Sequence, residues 1–395
     1  MFFYFGVINV NHLSYTAPTA AYIHIPFCQH ICHYCDFNKF FLQGQPVNEY
    51  LEALDEEVGL TLAQFPAGAM KSIFVGGGTP TALNDLQLEK LCKTINAHLP
   101  RAREIEYTFE GNPGDLSYEK LTILKNNGVN RLSLGVQSFN DALLEKIGRS
   151  HRAKDVYKTV EDAKKAGFEN ISIDLIYSLP GQTLEDFRET LSEALSLGLP
   201  HFSGYSLIIE PKTVFYNLMR KGKLPLPGED VEAAMYELLM DEMALHGYRQ
   251  YEISNFSKEG YESIHNLTYW KNEEYYGFGA GAHSYLGKAR RSNIGPLNRY
   301  MAALDEGRLP VLEENKVTDV EAMEEEMFLG LRMAEGVKRE VFERKYGKSP
   351  DAIFRGQINH LSKNGLIEDD GISIRLTRKG RMLGNEVFQS FLMKD

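Results

Sequence analysis

The chain has 395 residues, 43% hydrophobic and 25% charged, with 43 Lys and Arg against 54 Asp and Glu, a formal charge of −11. This describes a globular protein with ample core; it argues against a basic nucleic-acid binder and, with no apolar run near 18 residues, against an integral membrane segment. Four cysteines cannot build a disulfide scaffold, yet Cys28, Cys32 and Cys35 lie within eight residues.

The opening MFFYFGVINV is apolar, but no Lys or Arg precedes Lys39, and Asn9 and Asn11 interrupt the pattern. It reads as a tail over 1–19, or as the result of a mis-chosen start codon, rather than a secretory signal. A cytoplasmic, reducing compartment follows, where clustered cysteines mean metal more often than disulfide.

Six short β-type runs come next: 21–25, 71–75, 104–110, 131–136, 171–177 and 201–207. Amphipathic stretches at 47–64, 85–98, 116–127, 153–166 and 184–197 separate them. This alternation predicts an α/β fold with a parallel sheet and right-handed crossovers. Six βα units are too few for a closed eight-fold barrel, so the expected architecture is a partial (βα)6 TIM-like barrel, open on one side. A proline-rich crossing loop over 211–230, a helix at 230–246 and a loop-rich aromatic section over 248–300 complete a first unit spanning 20–300. Residues 301–395 form a second unit. From about 317 it reads as an acidic helix over 319–334, then a helix–helix–hairpin–helix pattern with an Asp370-Gly371 turn, as in a winged helix.

Unusual polar groups follow the runs in order. The cysteine loop follows the first and Gly76-Gly77-Gly78-Thr79-Pro80 the second; Glu110 ends the third, Gln137 follows the fourth, and Asp174 lies late in the fifth. Parallel βα folds bind ligands at the carboxyl ends of their strands, so these groups converge on one rim. Three thiolates spaced Cys28-x3-Cys32-x2-Cys35 can hold three corners of a cubane iron–sulfur cluster and leave the fourth iron open. The alternative is zinc, held with His24, His30 or His33. Cys92, on the apolar face of its helix, reads as a buried thiol.

This cysteine loop, with Tyr34 before its last cysteine and GGGTP after the second strand, resembles the radical S-adenosylmethionine (SAM) superfamily. YIHIPFCQHICHYCDFN, FVGGGTPT, FEGNP, RLSLGVQSF, IGRSH and IDLIYSLPGQT resemble the oxygen-independent coproporphyrinogen III oxidase-like family, from about residue 20 to the C-terminus. The resemblance implies a [4Fe-4S] cluster on Cys28, Cys32 and Cys35. It implies SAM contacts at Tyr22, Gly77, Gly78, Thr79, Glu110, Gln137, Arg149 and Asp174. Arg149 suits the SAM carboxylate as a planar fork, Glu110 its ammonium, and Asp174 or Gln137 its ribose hydroxyls.

The oxidases of this family carry a further cysteine two residues after the third, where Phe37 stands here. Cys35-Asp36-Phe37-Asn38 resembles instead the heme-chaperone branch, and His265-Asn266-Leu267-Thr268-Tyr269-Trp270 resembles the HNxxYW heme-binding motif of that branch. Neutral imidazole is a good axial iron ligand, and Tyr269 with Trp270, the only tryptophan, offers flat apolar area. His265 is therefore the heme candidate; His283 is a weaker one, read more simply as a backbone-bonded loop histidine. Gly277-x-Gly279-x-Gly281 lacks the strand-then-helix context of a dinucleotide site and reads as a place of close backbone approach. The implied function is a heme carrier serving an acceptor protein, with an electron donor and a homodimer compatible with it. The alternative is coproporphyrinogen oxidase or another tetrapyrrole-directed radical SAM enzyme. A modest basic patch at Arg375, Arg378, Lys379 and Arg381 does not make the second unit a DNA binder.

Overall fold

The structure, a computed structural model, describes residues 17–393, so MFFYFGVINV lies outside the described residues. Six parallel strands alternate with helices: β1 (Ala20–Ile25), β2 (Met70–Gly77), β3 (Arg101–Gly111), β4 (Arg131–Gln137), β5 (Asn170–Tyr177) and β6 (His201–Ser206). The crossing helices include α1 (Val47–Gln64), α2 (Asp85–His98), α3 (Tyr118–Asn126), α4 (Asp141–Lys146), α5 (Ala153–Lys165) and α6 (Leu184–Ser196); α7 (Val214–Arg220), inside the stretch expected as a crossing loop, and α8 (Glu229–Leu245) follow. Two have reciprocal caps that explain sharp starts: Asn84 with Gln87 on α2, and Thr183 with Asp186 on α6.

Side chains alternate across each strand. On β2, Ile73 and Val75 join the main core while Ser72 and Phe74 turn inward to meet His265. The inward set is unusually polar: Glu106, Arg131, Ser172, His201 and Ser203 are all buried. Such groups persist inside only when bonded to one another. His201 does this through Ser172 Oγ at 2.7 Å and the Tyr251 hydroxyl at 2.9 Å.

Chain order does not foretell the rest of the sheet. Strands β7 (Arg249–Glu252) and β8 (Asn255–Ser257) run antiparallel at the β6 end. Strand β9 (Tyr276–Phe278) adds a parallel partner on the outer side of β1. The order β9-β1-β2-β3-β4-β5-β6-β8-β7 is linear, so the sheet stays open. The section over 248–300 is thus more ordered than its composition suggests.

The two cores divide between Leu304 and Met323, later than the boundary expected at residue 300. Leu297, Tyr300 and Leu304 pack in the main core, whereas Met323, Met327, Phe342, Phe354 and Ile374 build the second. That second unit carries the expected hairpin, Ile367–Asp369 against Ser373–Leu376. Its basic residues are tied locally: Arg378 pairs with Asp241, Arg381 donates to Gln250, and Arg375 pairs with Glu368 and Asp370. Among the described residues no helix is long and apolar enough to cross a membrane.

Candidate active site

The cysteine loop leaves β1 and is held on three sides. A short parallel ladder joins Phe27–Cys28 to Phe40–Phe41. His33 N donates to Ile147 O at 3.0 Å, and Phe215 N to His33 O at 3.1 Å. Asn38 Nδ2 donates to Ala280 O at 2.8 Å and Gly295 O at 3.0 Å, while His24 Nε2 bonds Asn38 O at 2.7 Å.

The glycines around 277–281 allow this clamp. A Cβ on Gly279 would meet His24 O at 2.5 Å, and one on Gly281 would meet Asn38 at 2.8 Å. The segment is fixed further by buried Glu57 on α1, which accepts from Gly279 N at 2.7 Å, Asn293 Nδ2 at 2.6 Å and the Tyr300 hydroxyl.

Cys28, Cys32 and Cys35 line one cavity of about 460 Å³. Gly77, Gly78, Thr79, Glu110, Gln137, Arg149 and Asp174 line the same cavity. Tyr22 is not among the lining residues: its hydroxyl meets His24 Nδ1 at 2.9 Å and its ring stacks on Phe74 with centroids 6.2 Å apart. The glycine loop has no room for side chains. A Cβ on Gly78 would lie 2.8 Å from Phe27 O, and one on Gly77 would lie 2.4 Å from the His24 ring. Gln137 holds a left-handed φ of 66°, backbone strain placed at the rim.

The electrostatics suit thiolate-bound iron and a cationic ligand. Burial pushes the Cys28 thiol up and the Cys35 thiol to about 11, with Lys39 opposing in both. Thiolate is the ligating form, so these sulfurs need positive charge beside them, which iron provides. Among the described residues no three His, Cys, Asp or Glu side chains gather as a single-ion site. Both ring nitrogens of His24 are already engaged, and His33 Nδ1 bonds Lys146 O at 3.0 Å. Burial, then the charge of Asp174, pushes the Glu110 carboxyl up to about 7. Burial raises Asp174 as well, although Ser133 Oγ donates to it at 3.3 Å. Two buried carboxyls facing one cavity fit a ligand carrying ammonium and sulfonium groups. Arg149 lines the same space, its Nη groups donating to Cys32 Sγ, Asn112 Oδ1 and Gly135 O rather than standing free as a fork.

The structure places the HNxxYW segment elsewhere. It forms helix α9 (Ile264–Trp270), packed against Ser72 of β2 and Glu106 of β3. Glu106 of β3 caps it, accepting from Ser263 Oγ, from Ile264 N at 3.0 Å and from His265 N at 3.0 Å. His265 is 1% exposed. Its Nδ1 meets Ser72 Oγ at 3.1 Å and its Nε2 meets the Tyr269 hydroxyl at 2.8 Å. Neither nitrogen is offered to an outside iron in this arrangement. Trp270 faces the second unit, with the Arg332 guanidinium 5.1 Å from its ring and 4.6 Å from that of Phe388. His283 is exposed at the start of its strand.

Asn38 and Asn112 stand within the CDFN and FEGNP segments, where sequence alone gives them no partner, and Glu106 carries no local signal.

The fold and this donor set define a radical SAM protein. Residues 22–194 match the radical SAM superfamily, and residues 317–383 match the HemN C-terminal domain. Coproporphyrinogen III oxidase (HemN) from Escherichia coli has the same fold, with a TM-score of 0.83 at 24% identity, covering 95% of this chain and 90% of that one. The heme chaperone HemW of Bacillus subtilis (strain 168) is 55% identical over 374 residues, 94% of this chain and 99% of its own. That of Escherichia coli (strain K12) is 34% identical over 95% of this chain and 98% of its own. The chain belongs to the HemW family of heme chaperones.

Proposed function

We propose that the protein binds heme and passes it to an acceptor protein in a reducing, cytoplasmic setting. Cys28, Cys32 and Cys35 hold a [4Fe-4S] cluster. Tyr22, Gly77, Gly78, Thr79, Glu110, Gln137, Arg149 and Asp174 hold SAM. One observation carries this reading: the three thiols, the side-chain-free loop, both raised carboxyls and Arg149 share a single cavity, in a chain whose relatives are named heme chaperones. When bound, the cluster supplies an open iron for the amino and carboxylate groups of SAM. Phe37, 61% exposed on the cavity lining, stands where the oxidases have a further cysteine.

His265 is the proposed heme contact, on its place in the HNxxYW segment. Because both its ring nitrogens are engaged, heme ligation through it requires the bond to Ser72 or to Tyr269 to open.

Anaerobic iron and sulfide reconstitution tests the cluster. A brown protein is expected, with iron uptake lost in Cys28→Ala; a colourless protein carrying one zinc overturns the reading. Heme titration is expected to give a Soret shift. Incubating the reduced protein with SAM and coproporphyrinogen III separates carrier from oxidase, since formation of protoporphyrinogen would make it an enzyme.

A further inference from the structure

Thr79, Asn112 and Arg149 form a hydrogen-bonded bracket between two of the cavity's cysteines. Arg149 Nη1 donates to Cys32 Sγ at 3.4 Å, and its Nη2 donates to Asn112 Oδ1 at 2.7 Å. At the other side Asn112 Nδ2 donates to Thr79 Oγ1 at 3.0 Å, and Thr79 Oγ1 donates to Cys28 Sγ at 3.6 Å. Gly135 O also accepts from Arg149 Nη2, which fixes the guanidinium.

One chemical fact sets the direction of every bond. A guanidinium has donors and no acceptor. The Asn112 oxygen must therefore face Arg149, which turns its amide nitrogen to Thr79. The Thr79 hydroxyl accepts there and keeps its own proton for Cys28. Thr79 is 3% exposed, so water does not compete freely for that proton. A single amide thus aims one donor at each of two sulfurs.

Hydrogen bonds to cysteine sulfurs tune iron–sulfur potentials, and the partners that orient metal ligands matter nearly as much as the ligands. A cluster gains negative charge when a low-potential one-electron donor reduces it. Donors at its sulfurs stabilise that state more than the oxidised one. We infer that Asn112 is a positioning residue that holds Thr79 and Arg149 as donors to the Cys28 and Cys32 sulfurs and so raises the cluster's reduction potential. This rests on the cluster reading above. No change at the iron ligands themselves is involved.

The test is an anaerobic redox titration of the reconstituted full-length protein, followed by electron paramagnetic resonance, with iron and sulfide content measured on each sample. Thr79→Val keeps the shape and removes one donor; its midpoint is expected to shift to lower potential. Thr79→Ser keeps the hydroxyl and should match the parent. Asn112→Asp keeps the contact with Arg149 but accepts the Thr79 proton, so its midpoint should also fall. Asn112→Ala should fall too; if it does not fold, the two isosteric variants carry the test. Full cluster content with unchanged midpoints in Thr79→Val and Asn112→Asp overturns the inference alone. A parent protein that takes up no cluster overturns the underlying reading as well.

Discussion

His265 lies stacked on Phe74, with ring centroids 5.1 Å apart and planes 26° apart. Phe74 in turn stacks on Tyr22, and His265 meets Tyr269 edge-on at 4.9 Å. The HNxxYW helix thus joins one aromatic file with Phe74 of β2 and Tyr22 of β1. Replacing His265 is expected to weaken heme binding and to loosen the barrel, and the two effects can be read separately. In His265→Ala the Soret shift on heme titration should diminish; an unchanged spectrum removes the heme assignment.

The same burial makes His265 a pH-linked group. Desolvation, reinforced by Arg131, pulls its imidazole down to about 3, whereas the unfolded ring charges near its ordinary value of about 6.5. Between these values the unfolded chain binds more protons, so the contribution of the neutral ring is present above about pH 6.5 and lost as pH falls toward 3. The stability gap between the parent and His265→Gln, measured by urea unfolding, should narrow from about pH 7 to about pH 5. A gap independent of pH contradicts the assignment.

Glu106 joins three donors at the start of α9 and lies 3.9 Å from the Nε of buried Arg131. Glu106→Ala takes that carboxylate from the buried guanidinium and strips three acceptor contacts from the start of the helix, where only the Ser263 cap on Asn266 N stays. Breaking a buried pair from one side costs about 3–5 kcal/mol. Denaturant unfolding should show a loss of this order, and amides of 264–270 should exchange faster with solvent. Full protection there would mean that α9 is held by packing alone.

Glu110, pushed up to about 7 by burial and by Asp174, predicts how SAM binding follows pH. A cationic ligand needs the ionised carboxylate, so affinity should rise from about pH 6 to about pH 8 as the proton leaves. Glu110→Gln should flatten this profile and bind roughly tenfold or more weakly, the loss expected for a hydrogen bond to a charged group. Equilibrium dialysis with labelled SAM measures both, and a pH-dependent profile in the variant would point to Asp174 instead.

Asn38 staples the cysteine loop to carbonyls of Ala280 and Gly295. Asn38→Ala leaves both without that donor, at a cost of about 1–3 kcal/mol each where buried. Lower thermal stability and reduced iron retention after reconstitution are expected together. Loss of stability with full iron content would show that the clamp serves the fold and not the loop.

Much of the scaffold was legible in the sequence because it is written locally. Helices α1 and α2 occupy 47–64 and 85–98 as their apolar spacing predicts, and the six βα strands match their runs within a few residues. Strand β9 has three residues and pairs with β1 from far along the chain. A strand that short carries no readable period, and its glycines read as loop until the close approach to His24 and Asn38 explains them.

The donor types and their order are written along the chain: three thiols after β1, the glycine run at the end of β2, then Glu110, Gln137, Arg149 and Asp174. Spacing along one strand or loop suffices for that. Which of these groups touch is set by the folded arrangement. It brought Asn112 between Thr79 and Arg149, set Asn38 against Ala280, and buried His265 between Ser72 and Tyr269. Apart from His265 with Tyr269, four residues apart in one helix, these contacts join residues from separate strands or loops. Their distances depend on how the sheet curls and packs, and no local pattern records that.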